Sequence, residues 1–106
     1  MAETTDRYRT AHALPTPHER EIVTILIEEC AELTKALTKL LRFGAADGYP
    51  GSPITNRVDA STEAGDVIEM IVRAIRAGIL DKHQIDVGRL RKREKLARYM
   101  QTEPWE

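Results

Sequence analysis

From Thr16 to about Arg42 the chain reads as one long helix whose apolar residues spread too widely for a single narrow stripe. Ile22, Leu26 and Leu33 lie along one row, with Glu29 among them. Val23, Ile27, Cys30, Leu37 and Leu41 form a neighbouring row. A band this broad calls for cover on more than one side, by the chain itself and by a partner. In a chain of 106 residues, that requirement restricts the fold more than any other feature. The start of the helix is well marked. Thr16 supplies an N-cap hydroxyl, Pro17 suits the first helical position, and Glu19 closes a capping box.

Gly44, Gly48, Pro50, Gly51 and Pro53 exclude a regular element between Phe43 and Thr55, so that span is read as a loop. A second helix follows, with Asn56 as the expected N-cap and Asp59 at N3. Val58, Ala64, Val67, Ile68, Ile71, Val72 and Ile75 give it an apolar face, and Gly78 is the expected C′ residue. A third helix is expected from Asp81, where Gln84 completes a second capping box, to about Met100, with Gly88 as its weak point. Residues 1–14 read as a flexible arm, 15–101 as one helical domain, and 102–106 as a tail containing Pro104 and Trp105. No strand pattern or internal repeat stands out. The expected fold class is all-α, with three main helices per chain. A small domain buries only ~60% of its unfolded surface, so a four-helix-bundle-type core is expected to form through homo-oligomerisation, as a dimer or tetramer.

Bulk properties narrow the function classes. The formal net charge of −1 argues against a protein built mainly to coat nucleic acid. No apolar run approaches the ~20 residues of a membrane span. The single cysteine, Cys30, cannot form an intrachain disulfide and reads as a packed core thiol. The opening residues are polar and include acids, unlike a secretory signal. A cytoplasmic location, without a membrane partner, is the expectation.

Two acid pairs carry the chemistry. Glu29 and Glu32 lie within Ile27-Glu28-Glu29-Cys30-Ala31-Glu32-Leu33, and Glu63 and Asp66 within Thr62-Glu63-Ala64-Gly65-Asp66-Val67-Ile68. Spacing of i,i+3 puts both members of a pair on one helix face. Each pair sits among apolar residues, where an uncompensated carboxylate is costly to bury. If the two helices pack antiparallel, all four carboxylates face one another, and four converging acids repel and take up protons. Hard divalent cations resolve that conflict, and Mg²⁺ favours oxygen donors, with Mn²⁺ as a substitute. No His or Cys stands at matching spacing, which disfavours zinc and di-iron. His12, His18 and His83 are isolated.

Glu29-x-x-Glu32 followed by Glu63-x-x-Asp66 resembles the signature of the MazG-like, all-α nucleoside triphosphate pyrophosphohydrolases. Lys35-Ala36, Leu41-Arg42-Phe43-Gly44, Thr55-Asn56-Arg57, Glu63-Ala64-Gly65-Asp66-Val67 and the basic ending Lys92-Arg93-Glu94-Lys95-Leu96-Ala97-Arg98-Tyr99 are similar to small phage and bacterial members. The resemblance covers roughly residues 19 to 100. The connection from Glu32 to Glu63 is longer than in many members, and the Gly/Pro loop absorbs the excess. The resemblance implies Mg²⁺-dependent hydrolysis of a nucleoside triphosphate to the monophosphate and pyrophosphate, with Glu29, Glu32, Glu63 and Asp66 as metal ligands. Phosphoribosyl-ATP pyrophosphatase, of the same fold, is the nearest rival. From a different class, a non-catalytic helical interaction protein would keep the acids as a regulatory metal site or a solvated face.

A triphosphate is itself polyanionic, so four carboxylates admit it only with metal between. Glu28 adjoins the first pair and either orients water or is an ordinary exposed helix acid. Between Arg89 and Arg98 the third helix gathers cations, of which Lys92 and Lys95 share a face and are the expected phosphate holders. Lys35 and Lys39 continue the Glu28/Glu32 side of the first helix and are weaker candidates. Nucleic acid is disfavoured as a partner, because the basic patch is short and has no interleaved aromatics.

Overall fold

The computed structural model describes residues 15–102. It contains three helices: α1 (Pro17–Phe43), α2 (Asn56–Arg76) and α3 (Lys82–Tyr99). Among the described residues there is no strand, only an isolated bridge between Gly48 and Thr55. The described residues are therefore all-α, with three main helices. The arm over residues 1–14, with His12, and the tail residues Pro104 and Trp105 lie outside the described residues.

The capping box of α1 is complete. The Glu19 backbone N–H donates to Thr16 Oγ1 at 3.1 Å, and the Thr16 N–H donates to Glu19 Oε1 at 2.9 Å. The start of α2 corrects the sequence expectation by one residue. Thr55, not Asn56, is the N-cap, and its Oγ1 accepts from the Val58 N–H at 3.2 Å. Asn56 is the first helical residue and is buried; its Nδ2 donates to the Gly44 carbonyl at 2.9 Å. That bond ties the start of α2 to the end of α1 and satisfies a carbonyl that helix termination leaves without a partner. At the other end, Gly78 occupies C′ at φ 77°. Its N–H donates to Ile75 and that of Ile79 to Ala74, which is a Schellman closure. Asp81 caps α3 by accepting from the Gln84 N–H at 2.9 Å. Gly88 interrupts nothing: α3 runs unbroken through it.

Helices α1 and α2 pack antiparallel. His18 and Ile22 of α1 lie beside Arg73 and Arg76 of α2 and its C-cap Ala77 at one end. Lys39 and Phe43 lie beside Asn56 and Asp59 at the other. Among the described residues the buried apolar ones are Ile22, Ala36, Ala60 and Ala74. Alanine at three of these four positions lets the two backbones approach closely, but it buries little apolar area.

Helix α3 buries no residue and has no extensive packing against either α1 or α2. The radius of gyration, 18.3 Å, exceeds the ~13 Å of a compact domain this size. The row of α1 that includes Ile22 faces α2. Much of its neighbouring row is left in solvent, with Ile27 64% and Leu41 85% exposed. Cys30 belongs to this row and is exposed, which corrects the expectation of a packed core thiol.

Candidate metal centre

Antiparallel packing brings the two acid pairs to the same level. One carboxylate oxygen from each of Glu29, Glu63 and Asp66 lies within 4.8 Å of the other two. Glu29 and Glu63 are partly buried in the helix seam, and Asp66 is exposed at its edge. Three of the four expected ligands therefore converge.

Glu32 is exposed and outside this group of oxygens, yet close enough for its charge to act on both Glu29 and Glu63. The helix explains the difference. Residues three apart are rotated by about 60° from each other around the axis, so Glu29 enters the seam and Glu32 leans out of it. Glu28 is exposed.

Electrostatics reflect the crowding. Desolvation in the seam is the main cause raising the Glu29 carboxyl above its ordinary value of 4.5, followed by the charge and hydrogen-bonding proximity of Asp66. Glu63 is raised from the same value, again first by desolvation, then by Asp66, Glu32 and Asp59. No cation offsets these acids among the described residues. The ion pairs there are Arg73–Glu69 and Lys82–Asp86, along the exposed faces of α2 and α3.

The donor set suits a hard divalent ion. With Mg–O bonds of about 2.1 Å, oxygens on adjacent vertices of an octahedron stand about 3 Å apart and opposite ones about 4.2 Å apart. Small side-chain rotations would bring oxygens spread over 4.8 Å into that range, and Asp66 and Glu32 are free at the surface to make them.

A cleft of about 520 Å³ opens at the loop end of the same helix pair. Lys39, Phe43, Asp47, Tyr49, Asn56 and Asp59 are among its lining residues. The loop folds back tightly here: a Cβ at Gly48 would run into the Ile54 carbonyl oxygen. Asp59 joins the cleft to the acids, since it lies one turn before Glu63 and its charge acts on Glu63.

The cleft was not anticipated as a unit. Two signals for it were present: two aromatics, Phe43 and Tyr49, at a Gly/Pro-rich loop, and an acid row Asp59, Glu63, Asp66 continuous along one side of α2. Lys35 is exposed on α1. Lys92 and Lys95 are exposed on α3, and neither lines the cleft. Within one chain, then, the basic helix has no extensive packing against the helices that carry the acids. Compared with protein-family models, curated proteins and solved structures, the chain matches none.

Proposed function

We propose that this chain is a divalent-metal-dependent nucleotide pyrophosphohydrolase of the MazG-like all-α type, which cleaves a nucleoside triphosphate to the monophosphate and pyrophosphate. The observation that carries this reading is the convergence of Glu29, Glu63 and Asp66 from two antiparallel helices, without a counter-charge and beside a ligand-sized cleft. Glu29, Glu63 and Asp66, with Glu32 swung in from the edge, would hold Mg²⁺ or Mn²⁺. A bound ion supplies positive charge for the polyphosphate, polarises phosphoryl oxygens and acidifies water. Glu28, on the solvent side of the pair, would orient water at the entrance.

Assembly completes this reading. A second copy packed on the exposed row of Ile27, Leu37 and Leu41 would build a four-helix core and cover surface that one chain leaves in water. Helix α3 stands away from its own α1–α2 pair, so in such an oligomer Lys92 and Lys95 would reach the phosphates of a neighbouring chain's site, with Lys35 and Lys39 contributed locally.

The test is a screen of standard and modified NTPs and dNTPs, together with phosphoribosyl-ATP, for release of pyrophosphate in Mg²⁺. The reading expects pyrophosphate and monophosphate in equal amounts from at least one nucleoside triphosphate, abolished by EDTA. Turnover of phosphoribosyl-ATP alone would move the chain to the histidine-biosynthetic activity. No turnover of any substrate, with an intact helical assembly, would leave a helical interaction protein.

A further inference from the structure

The cleft beside the acids has a chemical character of its own. At about 520 Å³ it falls within the ~300–1,000 Å³ of small-molecule sites. Two aromatic side chains line it, Phe43 and Tyr49, and Tyr49 is 82% exposed with no packing role that would account for a ring in that place. The Arg42 guanidinium lies 5.1 Å from the Phe43 ring centre and braces it at the rim.

Two polar groups of the lining, the Asp47 and Asp59 carboxylates, can only accept when ionised, whereas the Tyr49, Ser52 and Thr55 hydroxyls can donate or accept. Asn56 Nδ2 donates one hydrogen to the Gly44 carbonyl, which can only accept, so the orientation of the amide is fixed, with Oδ1 and the second Nδ2 hydrogen left over. No donor among the described residues reaches that Oδ1. One Asp47 carboxylate oxygen accepts from the Gly48 N–H at 2.8 Å, and the other has no donor among the described residues. The Asp59 carboxylate likewise accepts no hydrogen bond from them. Lys39 is the single cation of the lining, on the α1 side that leads back to Glu32.

We infer that this cleft is the nucleobase subsite of the adjoining acid centre, and that it selects cytosine and adenine, whose exocyclic amine stands at the N4/N6 edge, over uracil and thymine. The inference rests on the nucleotide reading of the acids. Geometry supports the connection: Glu63 and Asp66 follow Asp59 by four and seven residues, about 6 and 10 Å along α2. A base seated against Tyr49 therefore extends its phosphates along the helix toward the carboxylates, past Lys39. Cytosine N4 and adenine N6 are donors that match Asn56 Oδ1 and the Asp47 carboxylate. Uracil and thymine present a carbonyl oxygen at that edge, which the same acceptors repel.

The experiment uses nucleosides, which lack phosphate and need no metal. The full chain in EDTA is titrated with cytidine, adenosine and uridine while backbone amide shifts are followed by NMR. Cytidine and adenosine should shift amides in residues 43–59, with uridine weaker by roughly tenfold, the scale of about one mismatched hydrogen-bonded edge. Tyr49→Ala, at an exposed position that the fold does not need, should weaken cytidine by roughly tenfold through loss of a stacking face. Asp47→Asn keeps an oxygen for Gly48 but adds a donor, and should narrow the gap between cytidine and uridine. Equal affinity for uridine and cytidine, shifts confined to other regions, or no binding overturns the inference. Pyrophosphate release measured in parallel separates the two readings. Release at equal rates from all bases without cleft shifts removes the base subsite and leaves the acid centre. Cleft shifts without release under any metal remove the hydrolase and leave the base subsite.

Discussion

Replacing Asp66 by asparagine tests the acid centre with the least disturbance to the fold. Asp66 is exposed at the edge of the α1–α2 seam, so the nearly isosteric change should leave packing intact. Its charge is the largest Coulombic influence on both Glu29 and Glu63. Removing it should therefore bring both carboxyls back toward their ordinary value of 4.5 and leave the metal-free protein as stable as before, or more so. Function should respond in the opposite direction. A neutral amide is a poor Mg²⁺ ligand, and the cluster of three converging carboxylates loses a third of its charge. At ~1.4 kcal/mol per tenfold in rate, loss of part of a contribution worth several kcal/mol lowers turnover by roughly a hundredfold or more.

Thermal melts with and without metal give a second readout of the same variant. A ligand at ten times its dissociation constant stabilises the folded state by about 1.4 kcal/mol. In a domain of this size that corresponds to a rise of roughly 6–11 °C in Tm. Wild-type protein should show the rise, and Asp66→Asn should lose most of it with unchanged circular dichroism. Near-normal pyrophosphate release from the variant, or an undiminished metal-dependent rise in Tm, would refute the assignment of Asp66 as a ligand.

Other consequences can be checked separately. Glu29 and Glu63 bind protons more tightly folded than unfolded, so their contribution to stability is fully present below 4.5 and is lost as pH rises through their raised folded values. Urea melts of metal-free protein should show this loss between acid and neutral pH, and Glu29→Gln should flatten it; a Glu29→Gln profile superimposable on wild type would contradict the shift. Among the described residues Ile22 is the one large apolar side chain in the buried core, and Ile22→Ala should lower stability by about 2–3 kcal/mol in denaturant titrations. A change under ~0.5 kcal/mol, the scale of a surface substitution, would show that the α1–α2 seam is not where the core lies. Leu41, 85% exposed in a single chain, should lie in the oligomer interface, so Leu41→Glu should reduce the mass measured by light scattering to that of a monomer. A monomeric wild type with full helicity would remove the oligomeric four-helix core.

The parts of the fold written in local chemistry were legible in the sequence. Thr16, Pro17 and Glu19 defined the start of α1 because all three roles act within one turn, and both reciprocal bonds are present. Gly78 and Asp81 marked their boundaries for the same reason. Asn56 shows where local reading stops. Threonine and asparagine are both good caps, and the choice between Thr55 and Asn56 depended on the Gly44 carbonyl twelve residues away. The acid pairs were visible as spacing, and antiparallel packing of α1 on α2 brought Glu29, Glu63 and Asp66 together. Equal spacing could not show that the crossing of two helices draws Glu29 inward and leaves Glu32 at the edge. The second row of α1 was legible as apolar, but not what covers it: Ile27, Cys30 and Leu41 are exposed in one chain. The cleft was hidden because it depends on the loop closing back through the Gly48–Thr55 bridge, a contact that no periodicity encodes.

The proposed function places one divalent ion among Glu29, Glu63 and Asp66, across two helices. Isothermal titration of metal-free protein with Mn²⁺ near neutral pH tests this directly. Saturable binding to the wild-type chain is expected, because a bound cation offsets the mutual repulsion of the three carboxylates. Binding should be weakened in Glu63→Gln, on the opposite helix from Glu29. Absence of saturable heat at millimolar Mn²⁺, or an isotherm that Glu63→Gln leaves unchanged, would contradict it.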